Sequence, residues 1–248
     1  MPRFFVPTDN FDNNTVRILG DDARHIARAL RMARGEHIVV CDMKGYEHEC
    51  VLVDFHDDRE VICSIISSRK SENEPPYKIT LFQASPKADK LDYITQKAVE
   101  LGVCDIVPFI SERCISRPDD KSAKKKVERL SKIAIEAAKQ SGRGIMPGVS
   151  EFCSFTEMLN RASEYDAKLF LYEGDNTIPL PKVLSRFKDN GIPESVAIII
   201  GSEGGFSLSE VEMARERGFD LCGLGKRILR TETASGCVLS CLMYEFEL

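Results

Sequence analysis

The chain has 248 residues and a formal net charge of −5, so it is long enough for one large or two modest domains with a sizeable core. The acidic balance excludes a protein that coats nucleic acid through overall positive charge, and any RNA affinity must be local. No stretch is apolar over a membrane-spanning length, and Met1 to Asn14 mixes Arg3, Pro7, acids and amides with Phe4 and Phe5, unlike a signal peptide.

Up to about residue 70, short β-rich runs dominate: Arg3 to Val6, Thr15 to Leu19, His37 to Asp42, Glu47 to Phe55 and Glu60 to Ile66. Turn signals at Lys44-Gly45 and Asp57-Asp58 separate them, which predicts a small β-barrel. One helix is predicted here, from about Asp21 to Ala33, capped by Asp21 or Asp22 and stopped near Gly35. On it Ile26, Ala27, Leu30 and Ala33 share one face, and Arg24, Arg28, Arg31 and Arg34 the other. The polar stretch Ser67 to Tyr77, with Pro75-Pro76 near its end, reads as a linker. The expected division is a barrel over residues 1–70, a linker over 71–77 and a second domain over 78–248.

Beyond the linker, strand-like and helical runs alternate. Strands are predicted at Lys78 to Gln83, Asp105 to Ile110, Lys168 to Tyr172, Ser195 to Ile200 and Phe219 to Gly223. Helices fall at about Lys87 to Leu101, Lys121 to Gln140, Phe155 to Ala162, Leu180 to Lys188 and Ser209 to Arg217, with a last one from about Glu232. Runs such as Val196 to Ile200 are apolar on both faces, as in a parallel sheet covered by helices, so the fold class is an open α/β domain. The nine cysteines are odd in number, include no C-x-x-C and place their closest pair, Cys237 and Cys241, one helical turn apart in an apolar segment. Reduced structural thiols and no metal site are expected.

In such a sheet, ligands bind where strands end and glycine-rich loops begin. Two loops stand out. Gly201-Ser202-Glu203-Gly204-Gly205-Phe206-Ser207 follows an apolar strand and precedes a helix that Ser207 or Ser209 can cap. Taken alone it reads equally as a close approach to a ligand or as a tight strand-to-helix turn. It matches neither G-x-G-x-x-G nor a phosphate-cradling P-loop, which disfavours nicotinamide and nucleoside-triphosphate enzymes. The second loop, Leu224-Gly225-Lys226-Arg227-Ile228-Leu229-Arg230-Thr231-Glu232-Thr233-Ala234, sets three cations and two hydroxyls beside one glycine. A helix start with Thr231 or Thr233 as cap explains Thr-Glu-Thr but leaves Arg227 and Arg230 idle.

The pair GSEGG and LGKRILRTETA, at this spacing near the end of an α/β domain, resembles the small-subunit ribosomal RNA uridine-N3 methyltransferases, the RsmE family. The resemblance covers essentially the whole chain. It takes in Arg3-Phe4-Phe5-Val6, the His25-x-x-Arg28-x-Leu30-Arg31 helix, Lys87 to Lys97 with Glu100-Leu101-Gly102-Val103 and Pro108, and Glu136-Ala137-Ala138-x-Gln140-Ser141-x-Arg143 with Pro147. One departure is Ser202, where the family usually has a proline that would fix the turn.

The resemblance implies a SPOUT fold with a C-terminal trefoil knot, preceded by a PUA-like β-barrel that binds RNA. It implies S-adenosylmethionine as cofactor, held by Leu171, Tyr172 and Glu173, by Gly201, Ser202, Glu203 and Gly204, and by Leu224, Gly225, Ile228, Leu229, Thr231 and Thr233. It further implies a cytoplasmic homodimer acting on 16S ribosomal RNA of the small subunit, with no membrane and no metal. RNA contacts are expected from Arg3, from the Arg24, Arg28 and Arg31 stripe, from Lys87 and Lys90, and from Gln140 and Arg143. Without the resemblance, a solvated helix face is the better account of the arginine stripe.

Methylation at N3 of uracil requires an unpaired or flipped base and loss of the imide proton, so negative charge develops on two carbonyl oxygens. Arg230 is the candidate to stabilise that charge. Glu203 and Glu232 are the candidate bases by proximity, with a cap or an arginine partner as the plainer role. Two other functions stay open: a SPOUT enzyme with another target, such as a ribose 2′-O position, and a non-catalytic ribosome-assembly factor.

Overall fold

Six strands, β1 (Arg3–Phe5), β2 (Phe11–Asp12), β3 (Thr15–Leu19), β4 (His37–Cys41), β5 (Tyr46–His56) and β6 (Glu60–Lys70), form one sheet in the order β1-β4-β5-β6-β3-β2 in the computed structural model, which describes residues 1–248. Only the β1–β4 pairing is parallel. Alternate residues point inward, and Phe4, Ile18, Ile38, Val40, Leu52 and Val61 are buried in one core. The β5–β6 pairing is irregular between Glu49 and Cys50 and between Leu52 and Asp54, where bulges bend the long hairpin. Strand β6 runs to Lys70, paired there with Tyr46, so Ser67 to Lys70 are strand and not linker. Their polarity reflects exposure, and their backbone groups find partners on β5.

The helix expected from Asp21 to Ala33 is shorter and irregular. A short α1 (Gly20–Arg24) passes into a π-helical turn over His25–Ala29, and Arg31, with φ of 52°, lies in the left-handed region. Leu19 is its N-cap residue and no side chain caps it, so neither Asp21 nor Asp22 does; both sit inside the first turn, where their charge complements the helix dipole. The wider turn shifts the helical register. Ala23 and Ile26 are buried as a result, whereas Leu30 and Ala33 are exposed and the expected apolar stripe ends early.

Residues 1–74 form one compact unit together with residues 138–146. Arg143 is buried there and pairs with Glu74 at 2.7 Å. Lys139 reaches Asp22 at 2.9 Å and lies 5.6 Å from the Phe4 ring centroid. The division of the chain therefore includes a segment distant in sequence, at the end of a helix that simple linker reasoning assigns elsewhere.

The second unit comprises residues 75–137 and 147–248. Its strands are β7 (Lys78–Ala84), β8 (Asp105–Ile110), β9 (Gly148–Val149), β10 (Cys153–Ser154), β11 (Ala167–Leu171), β12 (Ile178–Pro179), β13 (Ser195–Ile200) and β14 (Asp220–Gly223). All pair in parallel, in the order β10-β8-β7-β13-β11-β14-β12 with β9 beside β8. The helices of the chain beyond α1 are α2 (Lys90–Glu100), α3 (Asp120–Ser141), α4 (Phe155–Ala162), α5 (Leu180–Asn190), α6 (Leu208–Glu216) and α7 (Thr231–Phe246). This is the open α/β sheet that the alternating pattern predicts; the two-residue strands β9, β10 and β12 are too short to leave a periodic signal. An aromatic cluster of Phe82, Phe109, Phe155, Phe170, Phe206 and Phe219 fills one side of the sheet. Because β13 inserts between β7 and β11, the ends of β13, β11 and β14 lie side by side.

Candidate functional site

The loops that leave β11, β13 and β14 wall a cleft of about 490 Å³, within the range of small-molecule sites. Leu171, Ile200, Phe206, Cys222, Leu224 and Leu229 give it apolar surface, and Lys90, Glu173, Glu203, Arg227 and Arg230 give it charge.

The turn after β13 closes on itself, with the Gly205 N–H donating to the Ser202 carbonyl at 3.0 Å. Gly205 has φ of 64°, and a Cβ there would stand 2.5 Å from Glu173 Oε1. A side chain would be strained at this φ, and glycine avoids that strain. Phe206 anchors the turn in the core, its ring centroid 4.2 Å from that of Phe170. Of the two candidate caps, Ser207 takes the role, in a capping box with Glu210 that starts α6. Ser202 is buried, and its hydroxyl has no hydrogen-bond partner. The turn thus holds its shape through its own backbone bond and the Phe206 plug, without a proline.

Neither threonine caps α7. Arg230 is its N-cap residue, with extended backbone and no side-chain cap. Thr231 is buried, donates to the Gly201 carbonyl at 2.7 Å and accepts from Gln83 Nε2 at 2.9 Å. Gln83 Nε2 also lies 3.3 Å from the Gly201 carbonyl and 3.0 Å from that of Ala84. The end of β7, the turn after β13 and the start of α7 are thereby tied into one wall.

The Lys90 ammonium, from the first turn of α2, lies 2.8 Å from Glu203 Oε1 and 3.3 Å from Glu232 Oε2. The Lys87 N–H donates to both Glu203 oxygens, at 3.2 and 3.3 Å. Burial works to raise the Glu203 carboxyl, but the bonds from Lys90 and from backbone amides overcome it and hold the group below the usual carboxylate range. The hydrogen bond to Glu203, and then that to Glu232, raises the Lys90 ammonium against the opposing effect of desolvation. Arg230 is exposed on the cleft rim and has no acidic partner.

Of the residues expected to hold a cofactor, all but Gly204 and Thr233 line this cleft. Gly204 turns away toward Arg113, whose guanidinium donates to its carbonyl at 3.2 Å. Thr233 lies within α7, its N–H bonded to the Arg230 carbonyl. Unexpected cleft residues include Gly174, Thr177 and Gly223. A Cβ on Gly223 would stand 2.7 Å from Thr177 Oγ1, and one on Gly174 would meet the Tyr172 ring at 2.3 Å. The available signal was a glycine at or just beyond the end of a strand, Gly223 closing β14 and Gly174 three residues past β11. For Gln83 the signal was an amide in an otherwise apolar strand.

The residues expected to contact RNA divide by environment. Arg24 and Arg28 are exposed but face Asp58 at 3.8 and 2.6 Å, and Arg24 also faces Asp21 at 3.0 Å. Arg31, Lys87 and Gln140 present exposed side chains without an ionic partner. Arg3 is committed to Glu47 at 2.8 Å and Arg143 to Glu74, and both are largely withdrawn from solvent. Lys90 faces the cleft.

A family model described as an RNA methyltransferase domain matches residues 73–243, and one described as an RNA methyltransferase PUA domain matches residues 18–66. The chain is 39% identical over 236 residues to the Ribosomal RNA small subunit methyltransferase E of Bacillus subtilis (strain 168), covering 94% of this chain and 91% of that relative. The crystal structure of a Ribosomal RNA small subunit methyltransferase E from Neisseria gonorrhoeae bound to S-adenosyl methionine aligns with a TM-score of 0.84 at 34% identity, over 98% of this chain and 97% of the other. A Legionella pneumophila structure in complex with the bound cofactor SAM aligns at 0.83 and 30% identity, over 98% and 96% of the two chains.

Proposed function

The chain belongs to the RNA methyltransferase family, and we propose that it methylates N3 of a uridine in 16S ribosomal RNA of the small subunit with S-adenosylmethionine as donor. The cleft fits that cofactor. Gly174, Gly201, Gly205, Gly223 and Gly225 line it, so backbone groups can meet a ligand with no Cβ in the way. Its lining alternates apolar side chains with polar groups, as a ligand with an adenine, a ribose and an amino acid requires.

When bound, S-adenosylmethionine supplies a methyl group already activated by the sulfonium, so orientation is the main help the protein must add. Leu171 to Glu173, the turn from Gly201 to Glu203 and the loop from Leu224 to Thr231 hold it. The acceptor base enters unpaired and gives up its imide proton. Arg230 stabilises the charge that then spreads onto the uracil carbonyl oxygens. What supports this is its exposed position on the cleft rim and its lack of any acidic partner. Glu203 acts as an anchor for Lys90 and the start of α2, since a carboxylate engaged on both oxygens and held below its usual range is a weak proton acceptor.

The exposed Arg31 and Lys87 track RNA phosphates, within a cytoplasmic enzyme that no long apolar helix ties to a membrane. A trefoil knot at the carboxyl end and a two-fold dimer through α7 complete the reading. The insertion of β13 between β7 and β11, and the exposed Tyr244 on α7, support these in turn.

The single observation that carries the proposal is the cleft shared by the loops after β11, β13 and β14, with an unpaired guanidinium on its rim. Incubation with labelled cofactor and unmodified small subunits, followed by mass spectrometry of RNA fragments, is expected to find one N3-methylated uridine. Methylation at a ribose, or none at all, would refute it.

A further inference from the structure

The charged groups at and beside the mouth of the cleft come from five segments. Lys90 stands on α2, Glu173 after β11, Glu203 after β13, Arg227 and Arg230 on the loop after β14, and Glu232 in the first turn of α7. Lys90 and Glu203 line the cleft, and Glu232 is joined to them through Lys90. An ammonium has three N–H donors. Its ion-pair partners are Glu203 at 2.8 Å and Glu232 at 3.3 Å, carboxylates that approach from different segments. The ammonium is therefore held in place before any substrate arrives, with at least one donor uncommitted.

A uracil losing its N3 proton spreads charge onto two carbonyl oxygens, one on each side of the nitrogen. A single guanidinium at one edge leaves the other oxygen without a cation. Arg230 and Lys90 both line the cleft, from the start of α7 and the start of α2, and these two helices pack together. On the reading given under Proposed function, we infer that Lys90 is a second catalytic cation, donating a free N–H to one uracil carbonyl oxygen while Arg230 serves the other. In the step itself the N3–H bond breaks and its proton passes to water. The nitrogen lone pair forms the new N–CH3 bond as the CH3–S bond breaks, and that bonding pair stays on sulfur as a neutral thioether. Glu203 and Glu232 are positioning residues that fix the ammonium. Such preorganised donors act without reorganisation at the moment charge develops.

The test compares Lys90→Met, Lys90→Arg and Glu232→Gln with the wild type, on unmodified small subunits and on subunits whose RNA carries 5-fluorouridine, a uracil with a more acidic imide. Lys90→Met is expected to lower kcat by about 100-fold, the lower end for loss of one such donor. The KM for subunits and the calorimetric Kd for S-adenosylmethionine should change little. Its kcat should keep rising to higher pH than that of the wild type, because the imide must ionise without the ammonium. Fluorinated RNA should restore most of the loss, Lys90→Arg should retain most activity, and Glu232→Gln should fall between. A Lys90→Met enzyme with wild-type kcat and a raised KM would make Lys90 a phosphate contact and overturn the inference. So would a loss shared equally by Lys90→Arg and insensitive to fluorination, which marks a purely structural tie. A wild-type enzyme that binds S-adenosylmethionine yet leaves every uridine unmethylated would overturn the underlying reading, and the inference with it.

Discussion

Replacing Thr231 by valine removes one hydroxyl and preserves shape, so it isolates the bond that ties the start of α7 to the turn after β13. The hydroxyl donates to the Gly201 carbonyl at 2.7 Å and accepts from Gln83 Nε2 at 2.9 Å, at a residue only 5% exposed. After substitution Gln83 keeps the Ala84 carbonyl, and the Gly201 carbonyl keeps a longer bond from Gln83 at 3.3 Å. No group is left wholly unpaired, so the cost belongs near the lower half of the range for a buried bond, about 1–2 kcal/mol. For a unit of this size that corresponds to a fall of about 2–8 °C in Tm. The cofactor must then order a loosened wall as it binds, and up to about 1.4 kcal/mol diverted to that ordering weakens Kd by up to tenfold. Thermal unfolding monitored by circular dichroism and calorimetric titration with S-adenosylmethionine measure the two effects separately. A lower Tm with unchanged Kd would show that the stitch stabilises the fold without shaping the cleft. Unchanged values for both would refute the reasoning.

Arg230→Ala is expected to lower kcat by about 10²–10³-fold with little change in cofactor affinity, and wild-type turnover would remove this residue from the chemistry. Arg31→Ala should reduce the slope of log affinity for ribosomal RNA against log salt by about 1, whereas Arg24→Ala, whose charge is already met by Asp21 and Asp58, should change it less. Equal slopes for the two variants would contradict that ranking. The Glu203 carboxyl is held below its usual range in the folded protein, so it adds stability that is complete above the unfolded value near 4.5 and is lost as pH falls through the lower folded value. Glu203→Gln should therefore flatten the acid limb of Tm against pH, and an unaltered limb would mean that Lys90 and Lys87 hold it no better than water does.

The parallel sheet was legible because both faces of its strands are covered, which leaves apolar runs such as Val196 to Ile200 with no other explanation. The two glycine loops were legible as places, but the reason for each glycine was not. Gly205 is favoured by its left-handed φ of 64°, and Gly223 stands against Thr177 of the loop after β11. Gln83 was passed over because its amide partners lie more than a hundred residues away, at Gly201 and Thr231. The N-terminal helix departs from its expected length because a π turn changes the period that apolar spacing assumes. Dividing the chain only at linkers places residues 138–146 in the second domain, whereas the buried Arg143–Glu74 pair joins segments far apart in sequence.

An acidic protein that handles RNA must keep its acids from repelling the substrate, and the ion pairs indicate how this chain does so. Asp21 and Asp58 are matched to Arg24 and Arg28, Asp54 to Arg34, and Glu203 and Glu232 to Lys90. Each pair is nearly neutral beyond a Debye length of about 8 Å at physiological salt, so much of the negative total is invisible to a distant phosphate. Cations without an ion-pair partner, among them Arg31 in one unit and Lys87 and Arg230 in the other, then bias where RNA is attracted. Net charge thus describes solubility and says little about the substrate, and adding acids next to Arg31 should weaken RNA binding more than adding the same acids elsewhere on the surface.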